Sequence, residues 1–251
     1  MHIHVGTSGW MYKDWNGKFY PSEIKGTAQL SYFSSQFKTV EVNSTFYHMP
    51  RVSTAEGWYK NTVSDFLFSV KLNRYFTHTK RLVVDDDFKI ALKQFMESAL
   101  SLKEKLGIVL VQLPPSMKVD ILRLENFLKE MKTYQVSLAI EFRHVSWFTE
   151  EVRDLLGGYN VAQVINDSPN RWPADTHITA DTAYIRFHGS KWLYRSSYTD
   201  KELETWAHFI VNTACSQVFA YFNNDYNAVA VTNAKTLLEK LAKLNAGHNL
   251  I

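Results

Sequence analysis

The chain has 251 residues, 45% of them hydrophobic and 21% charged, with a formal net charge of +3. That length suits one (β/α)8 barrel with a large core, and the charge is compatible with an anionic ligand but too small to announce a nucleic-acid surface. A single cysteine, Cys215, excludes an internal disulfide and any CxxC motif; no run approaches the about 20 apolar residues of a membrane span, and MHIHVGTSGW has no basic-then-apolar leader, so a cytoplasmic setting is expected.

Eight short β-like runs follow one another: HIHVG (2–6), TVEVN (39–43), FLFSVKLN (66–73), GIVLVQL (107–113), SLAIEFR (137–143), VAQVIN (161–166), AYIRFH (183–188) and VFAYFNN (218–224). Helical stretches separate most of them. TAQLSYFSSQF follows the first run and STAEGWYKNTV the second. After the third, DFKIALKQFMESALSLKEKL places Phe88, Leu92, Phe95, Met96, Ala99 and Leu102 at helical spacing. DILRLENFLKEMKTY follows the fourth with Asp120 as its N-cap, and EEVRDLLGG follows the fifth, stopped by two glycines. Behind the sixth run, DSPNRWPADTHITADT has two prolines and no helical period, while TDKELETWAHFIVNTA and AVAVTNAKTLLEKLAKL flank the eighth. The expectation is an α/β chain folded as a single (β/α)8 TIM-barrel domain over 1–251, irregular where the sixth helix is missing or degenerate.

Successive strand residues face opposite sides. Within the fifth run Leu138, Ile140 and Phe142 form one row, and Ala139, Glu141 and Arg143 the other. The same sorting along the other runs turns His4, Glu41, Asn43, Lys71, Gln112, Glu141, Arg143, Arg186, His188 and Asn223 into the barrel. Unpaired charges there cost several kcal/mol each, so they must pair, hydrate at the mouth or meet a ligand. An internal ion-pair network, Glu41–Lys71 or Glu141–Arg186, is one solution; the excess of cations makes a bound anion another.

In combination, GTSGWMYKDWNGKFYP (6–21), FKTVEVNSTFYHMP (37–50), FLFSVKLNRYFTH (66–78), LGIVLVQLPPS (106–116), AIEFRHVSW (139–147), YIRFHG (184–189) and YFNND (221–225) resemble the YecE-like family, a domain-of-unknown-function family of TIM barrels. The resemblance runs from residue 2 to about 240; it implies the fold and no established reaction. The matching motifs carry over Gly6, Ser8, Gly9, Trp10, Tyr12, Glu41, Asn43, Phe46, Tyr47, Lys71, His78, Gln112, Glu141, Arg143, Trp147, Arg186, His188, Gly189, Asn223 and Asn224 as candidates without assigned roles.

Chemistry suggests the roles. Glu41 and Glu141 are proton-transfer candidates, and Lys71 and His188 are acid or electrophilic partners. Arg143 and Arg186 suit forked recognition of carboxylate or phosphate. Ser8, Trp10, Tyr12, Asn43, Gln112, Asn223 and Asn224 complete the expected substrate-binding set. No ligand-spaced metal motif or nucleotide loop is present, so neither metal nor cofactor is expected. The reading is a metal-independent hydrolase, lyase or isomerase acting on a small anionic, phosphorylated or carboxylated, metabolite by acid–base chemistry at the C-terminal mouth. The alternative is a non-catalytic nucleic-acid or nucleotide-binding module that stacks bases on loop aromatics.

Overall fold

The computed structural model describes residues 1–169 and 171–248. Its strands are β1 (His2–Thr7), β2 (Thr39–Val42), β3 (Leu67–Lys71), β4 (Leu106–Gln112), β5 (Leu138–Glu141), β6 (Ala162–Asp167), β7 (Thr182–Phe187) and β8 (Gln217–Phe222). All pair in parallel in the order β1-β8-β7-β6-β5-β4-β3-β2. The ring closes between β1 and β2 through a bridge of Ser8 with Glu41, and the Gly9 amide donates to the Glu41 carbonyl at 2.8 Å. Gly6 makes that approach possible, because a Cβ there would stand 2.2 Å from the Thr39 carbonyl oxygen. The eight sequence-predicted runs thus appear as eight parallel strands of a nearly closed (β/α)8 barrel.

The helices are α1 (Ala28–Gln36), α2 (Ser44–Tyr47), α3 (Val52–Lys60), α4 (Asp86–Leu100), α5 (Ile121–Lys132), α6 (Glu150–Gly158), α7 (Asp200–Val211) and α8 (Val229–His248). On α4 the expected stripe is buried from Phe88 to Ala99, and Leu102, just past the end of the helix, is buried as well. Asp120 caps α5 by accepting the Arg123 amide at 3.0 Å, and Thr199 with Glu202 forms a capping box on α7. Among the described residues no helix links β6 to β7, as the sequence predicted. There the wall is covered by an irregular segment, pinned where Thr179 Oγ accepts the Gln163 amide at 2.8 Å and donates to the Val161 carbonyl at 2.7 Å.

Side chains on the outer faces of the strands pack against the helices in one extensive apolar cluster. A smaller cluster fills the barrel itself: Ile108, Leu110, Ala139, Ala162, Val164, Tyr184, Phe219 and Tyr221. His4 belongs to this lower part, stacked on Phe219 with ring centroids 4.9 Å apart and away from the mouth. The Tyr221 hydroxyl ties Thr39 Oγ (2.5 Å) to Ser69 Oγ (2.7 Å) across the interior. One step further toward the C-terminal strand ends, the inward positions become Glu41, Lys71, Gln112, Glu141, Asn166 and Arg186. Apolar filling gives way to charge where a barrel presents its site.

Candidate active site at the barrel mouth

Arg186, 1% exposed, is the centre of this layer. Its Nε donates to Glu41 Oε2 at 2.9 Å, its Nη2 to Glu41 Oε1 at 2.7 Å, and its Nη1 to Glu141 Oε2 at 2.6 Å. One guanidinium therefore bridges both inward carboxylates, a forked geometry that lysine could not supply. Glu41 also accepts from Ser8 Oγ (2.7 Å), Asn43 Nδ2 (2.9 Å) and the Tyr184 hydroxyl (2.7 Å). Glu141 accepts from Gln112 Nε2 (2.6 Å) and Arg143 Nε (2.8 Å).

Burial alone would push the Glu41 carboxyl up, but Arg186, Lys71 and the Ser8 hydroxyl together hold it down at about 2. In the same way burial is outweighed at Glu141 by Arg143 and Arg186, and its carboxyl lies well below the usual range. Both glutamates are fully buried, ionised and surrounded by donors.

Lys71 differs. It is 7% exposed, donates to Gln112 Oε1 at 3.0 Å, and lies 4.3 Å from the centre of the Phe46 ring. No carboxylate pairs with it directly among the described residues. Burial and the neighbouring Arg186 push its ammonium down to about 7, against the pull of Glu141 and Glu41. The amine therefore gives up its proton far more readily than a solvated lysine does.

His188 is fixed rather than poised. Asn223 Nδ2 lies 3.1 Å from its Nδ1, and its Nε2 lies 3.2 Å from Asn166 Oδ1. An amide donor on one side and an amide oxygen on the other assign the proton to Nε2. Burial and Arg186 push the imidazole down to about 3, so it stays neutral. The ring of Trp172 meets His188 edge-on at 5.1 Å and covers the Arg143 guanidinium at 3.8 Å. Arg143 gives its Nε to Glu141, which leaves both Nη groups without a protein acceptor among the described residues.

The structure brings together Ser8, Glu41, Asn43, Lys71, Gln112, Glu141, Arg143, Arg186, His188 and Asn223. The side chains of Trp10 and Asn224 stay outside this hydrogen-bonded group, and Tyr12 meets it only at the backbone of Ser8. Trp10 packs edge-on against Trp58 at 5.8 Å, and the Tyr12 hydroxyl donates to the Ser8 carbonyl. These two nevertheless line a small cavity of about 200 Å³ with Gly9, Met11, Asn43 and Ser44, beside the mouth. Asn224 points outward, donating to the Ser196 carbonyl and to Asn233 Oδ1, both at 2.9 Å, and so ties the β7 loop to α8. A cavity of about 620 Å³ lies outside the barrel between residues 82–84 and α5, and holds none of the charged layer.

Tyr184, Asn166 and Trp172 were missed as site residues. The first two share the inward parity of their strands, which was legible; Trp172 lies in the helix-free segment and had no periodic signal. Among the described residues no group of three or more His, Cys, Asp or Glu side chains is placed to hold a metal ion, and the two glutamates nearest the mouth are filled by arginine.

Eight parallel strands with a charged layer at their carboxyl ends define a (β/α)8-barrel protein whose candidate site is the C-terminal mouth. More narrowly, the chain belongs to the family described as "Protein of unknown function DUF72", whose model matches residues 4–249. UPF0759 protein YunF of Bacillus subtilis (strain 168) is 27% identical, over 95% of this chain and 94% of that one. UPF0759 protein YecE of Escherichia coli (strain K12) is 26% identical, over 71% of this chain and 64% of that one. A crystal structure of a DUF72 family protein from Thermotoga maritima MSB8 superposes with a TM-score of 0.85 at 29% identity, covering 96% of this chain and 100% of that one. The resemblance read from the motifs is therefore correct, and among the described residues no helix is long and apolar enough to cross a membrane.

Proposed function

We propose that the protein is an enzyme that binds a small anionic metabolite, phosphorylated or carboxylated, at the C-terminal barrel mouth and moves a proton there with Lys71. The observation that carries this reading is an imbalance in hydrogen bonding. Every carboxylate oxygen of Glu41 and Glu141 is already supplied with donors, whereas Lys71 and the Arg143 Nη groups retain donors that meet no protein acceptor among the described residues. Asn166 Nδ2 is a further buried donor without a partner among the described residues. Unspent donors at a half-covered mouth call for an acceptor-rich ligand.

The division of labour follows from the same geometry. Proton transfer needs a group that titrates near working pH, and Lys71 at about 7 does so while Glu41 at about 2 does not. Glu41 and Glu141 therefore act as fixed charges that orient Arg186 and Arg143. Trp172 holds the Arg143 guanidinium plane, and His188 with Asn166 and Asn223 braces the β6–β8 side of the rim.

A thermal-shift screen of sulfate, phosphate, carboxylic and phosphorylated metabolites and short oligonucleotides, at two salt concentrations, tests the reading. A ligand at 100 times its Kd adds about 2.7 kcal/mol of stability. Stabilisation by a small anion that survives added salt and disappears in Arg143→Ala is expected. Stabilisation by oligonucleotides alone, fading with salt, would replace the enzyme reading with a nucleic-acid-binding module.

A further inference from the structure

Two lysines are buried among the described residues, and they are treated differently. Lys105, 4% exposed, directs its ammonium at three oxygens: the carbonyls of Tyr59 (2.8 Å) and Thr62 (2.9 Å) and the Thr62 hydroxyl (3.0 Å). That is a satisfied structural cation, lying at the end of the barrel remote from the mouth. Among the described residues Lys71 has one oxygen partner, Gln112 Oε1, and an aromatic face. A buried ammonium with one acceptor forfeits most of its hydration without replacement.

The surroundings of Lys71 explain how this is tolerated. Glu41 reaches it from β2, Glu141 and Arg143 from β5 and its following loop, Arg186 from β7, and His78 from the loop after β3. The carboxylates favour a cation at this point, while the two arginines and burial oppose it. His78, pushed down to about 4 by burial and by Lys71, is neutral and adds no charge. The Phe46 ring, itself met edge-on by His78 at 5.1 Å, offers its face to a positive nitrogen. An amine placed in this way is uncharged for much of the time, largely shielded from water, and held in one direction by Gln112.

We infer that Lys71 is a covalent nucleophile that forms an imine with the carbonyl carbon of a ketone or aldehyde whose carboxylate or phosphate is held by the free Nη groups of Arg143. The inference rests on the reading of the mouth as an anion site and names its substrate class. The lysine lone pair forms the C–N bond while the carbonyl π electrons move to oxygen. That oxygen takes up protons, one from the attacking nitrogen and one from solvent, and leaves as water; the C=N bond remains as an iminium. The sum is amine, carbonyl and one proton going to iminium and water, with no oxidant or reductant required.

The site suits the product as well as the attack. The iminium nitrogen occupies the place of the ammonium, so the Phe46 face and the field of Glu41 and Glu141 act on it without rearrangement. Arg143, flattened against Trp172 at 3.8 Å and tied to Glu141, presents its two outer nitrogens in one plane. A planar carboxylate fits that fork with two parallel hydrogen bonds, and a phosphate fits with two of its oxygens. Lys71 and Arg143 are linked through Gln112 and Glu141, so the reacting carbon and the anchoring anion are held by one hydrogen-bonded chain.

Reductive trapping tests the inference on the intact protein. Sodium borohydride is added to mixtures with pyruvate, with dihydroxyacetone phosphate, and with neutral dihydroxyacetone as control, followed by peptide mass mapping. An imine reduced by hydride leaves on Lys71 the mass of the probe's carbonyl compound less one oxygen atom. The adduct is expected at Lys71 ahead of every other lysine, with one of the two anionic probes and not with the neutral control. Its initial rate should rise roughly tenfold from pH 6 to pH 8, as an amine with a pKa near 7 loses its proton. Lys71→Arg, which keeps the charge, should lack the adduct while other lysines react unchanged.

Adducts scattered over exposed lysines with Lys71 unmodified would overturn the inference, as would equal trapping of the neutral control. If an anion still stabilises the protein in an Arg143-dependent way while Lys71 stays unmodified, the imine falls and the anion site stands. If no small anion binds, the site reading falls with it.

Discussion

Replacing Arg186 by methionine would remove the cation that both buried glutamates share and leave a shorter, unbranched apolar side chain in its place. Breaking a buried ion pair by deleting one partner costs about 3–5 kcal/mol. The depression of Glu41 from 4.5 to about 2 is independently equivalent to about 3 kcal/mol at neutral pH. A loss in Tm on the order of 10 °C follows for a chain of this size. The pH dependence should also invert. In the native protein the folded carboxyl lies below its unfolded value, so its contribution is present above about pH 4.5 and is lost as pH falls toward 2. In Arg186→Met burial dominates, the folded carboxyls lie above their unfolded values, and acidification protonates them and recovers stability. Thermal melts followed by circular dichroism at pH 7.5 and pH 5 read both effects. A variant that loses less than about 1 kcal/mol, or whose deficit grows on acidification, would refute the view that Arg186 neutralises the interior.

Tyr184→Phe removes one of the five donors on Glu41 while Arg186 keeps its fork, so a loss of about 1–2 kcal/mol in denaturant unfolding is expected. Trp172→Ala should free the Arg143 guanidinium and weaken small-anion binding roughly fivefold, equivalent to about 1 kcal/mol, with little change in melting of the unliganded protein; unchanged affinity would contradict the holding role. Burial pushes the Asp225 carboxyl up to about 6, with Asp14 adding to it. Because its folded value lies above the unfolded one, the native protein loses stability as pH rises from about 4 to 6, and Asp225→Asn should be more stable at pH 7.5 by roughly 1–3 kcal/mol. A less stable Asp225→Asn variant at that pH would show that the carboxylate is needed.

The strands were legible because each run combines a two-residue alternation with polar residues at its C-terminal end, and a closed barrel uses both features. The parity that placed Glu41, Lys71, Gln112, Glu141 and Arg186 inside matches the inward row at the mouth. What parity does not contain is pairing across the barrel. Either glutamate could have met Lys71, and only the packed ring shows that Arg186 reaches both while Lys71 is left with Gln112. The same limit explains Asn224, one residue beyond Asn223 and therefore on the opposite face, where it braces α8. Trp172 was illegible for another reason. A segment without helical or strand period carries no direction, and its contact with Arg143 depends on the course of the whole loop. The glutamates were read as proton carriers because residue type alone suggests it, whereas the number of donors around each one emerges only in three dimensions.

Proton uptake on anion binding is the most direct measurement of the role given to Lys71. Sulfate, which does not titrate near neutrality, would be bound at pH 7 by calorimetry in two buffers of different ionisation enthalpy. An anion beside Lys71 raises its pKa from about 7, so binding should draw about half a proton per ion from the buffer. Lys71→Met should abolish that uptake. Binding with no proton uptake in the wild type, or uptake that persists in Lys71→Met, would contradict a mouth in which Lys71 is the titrating group that meets the anion.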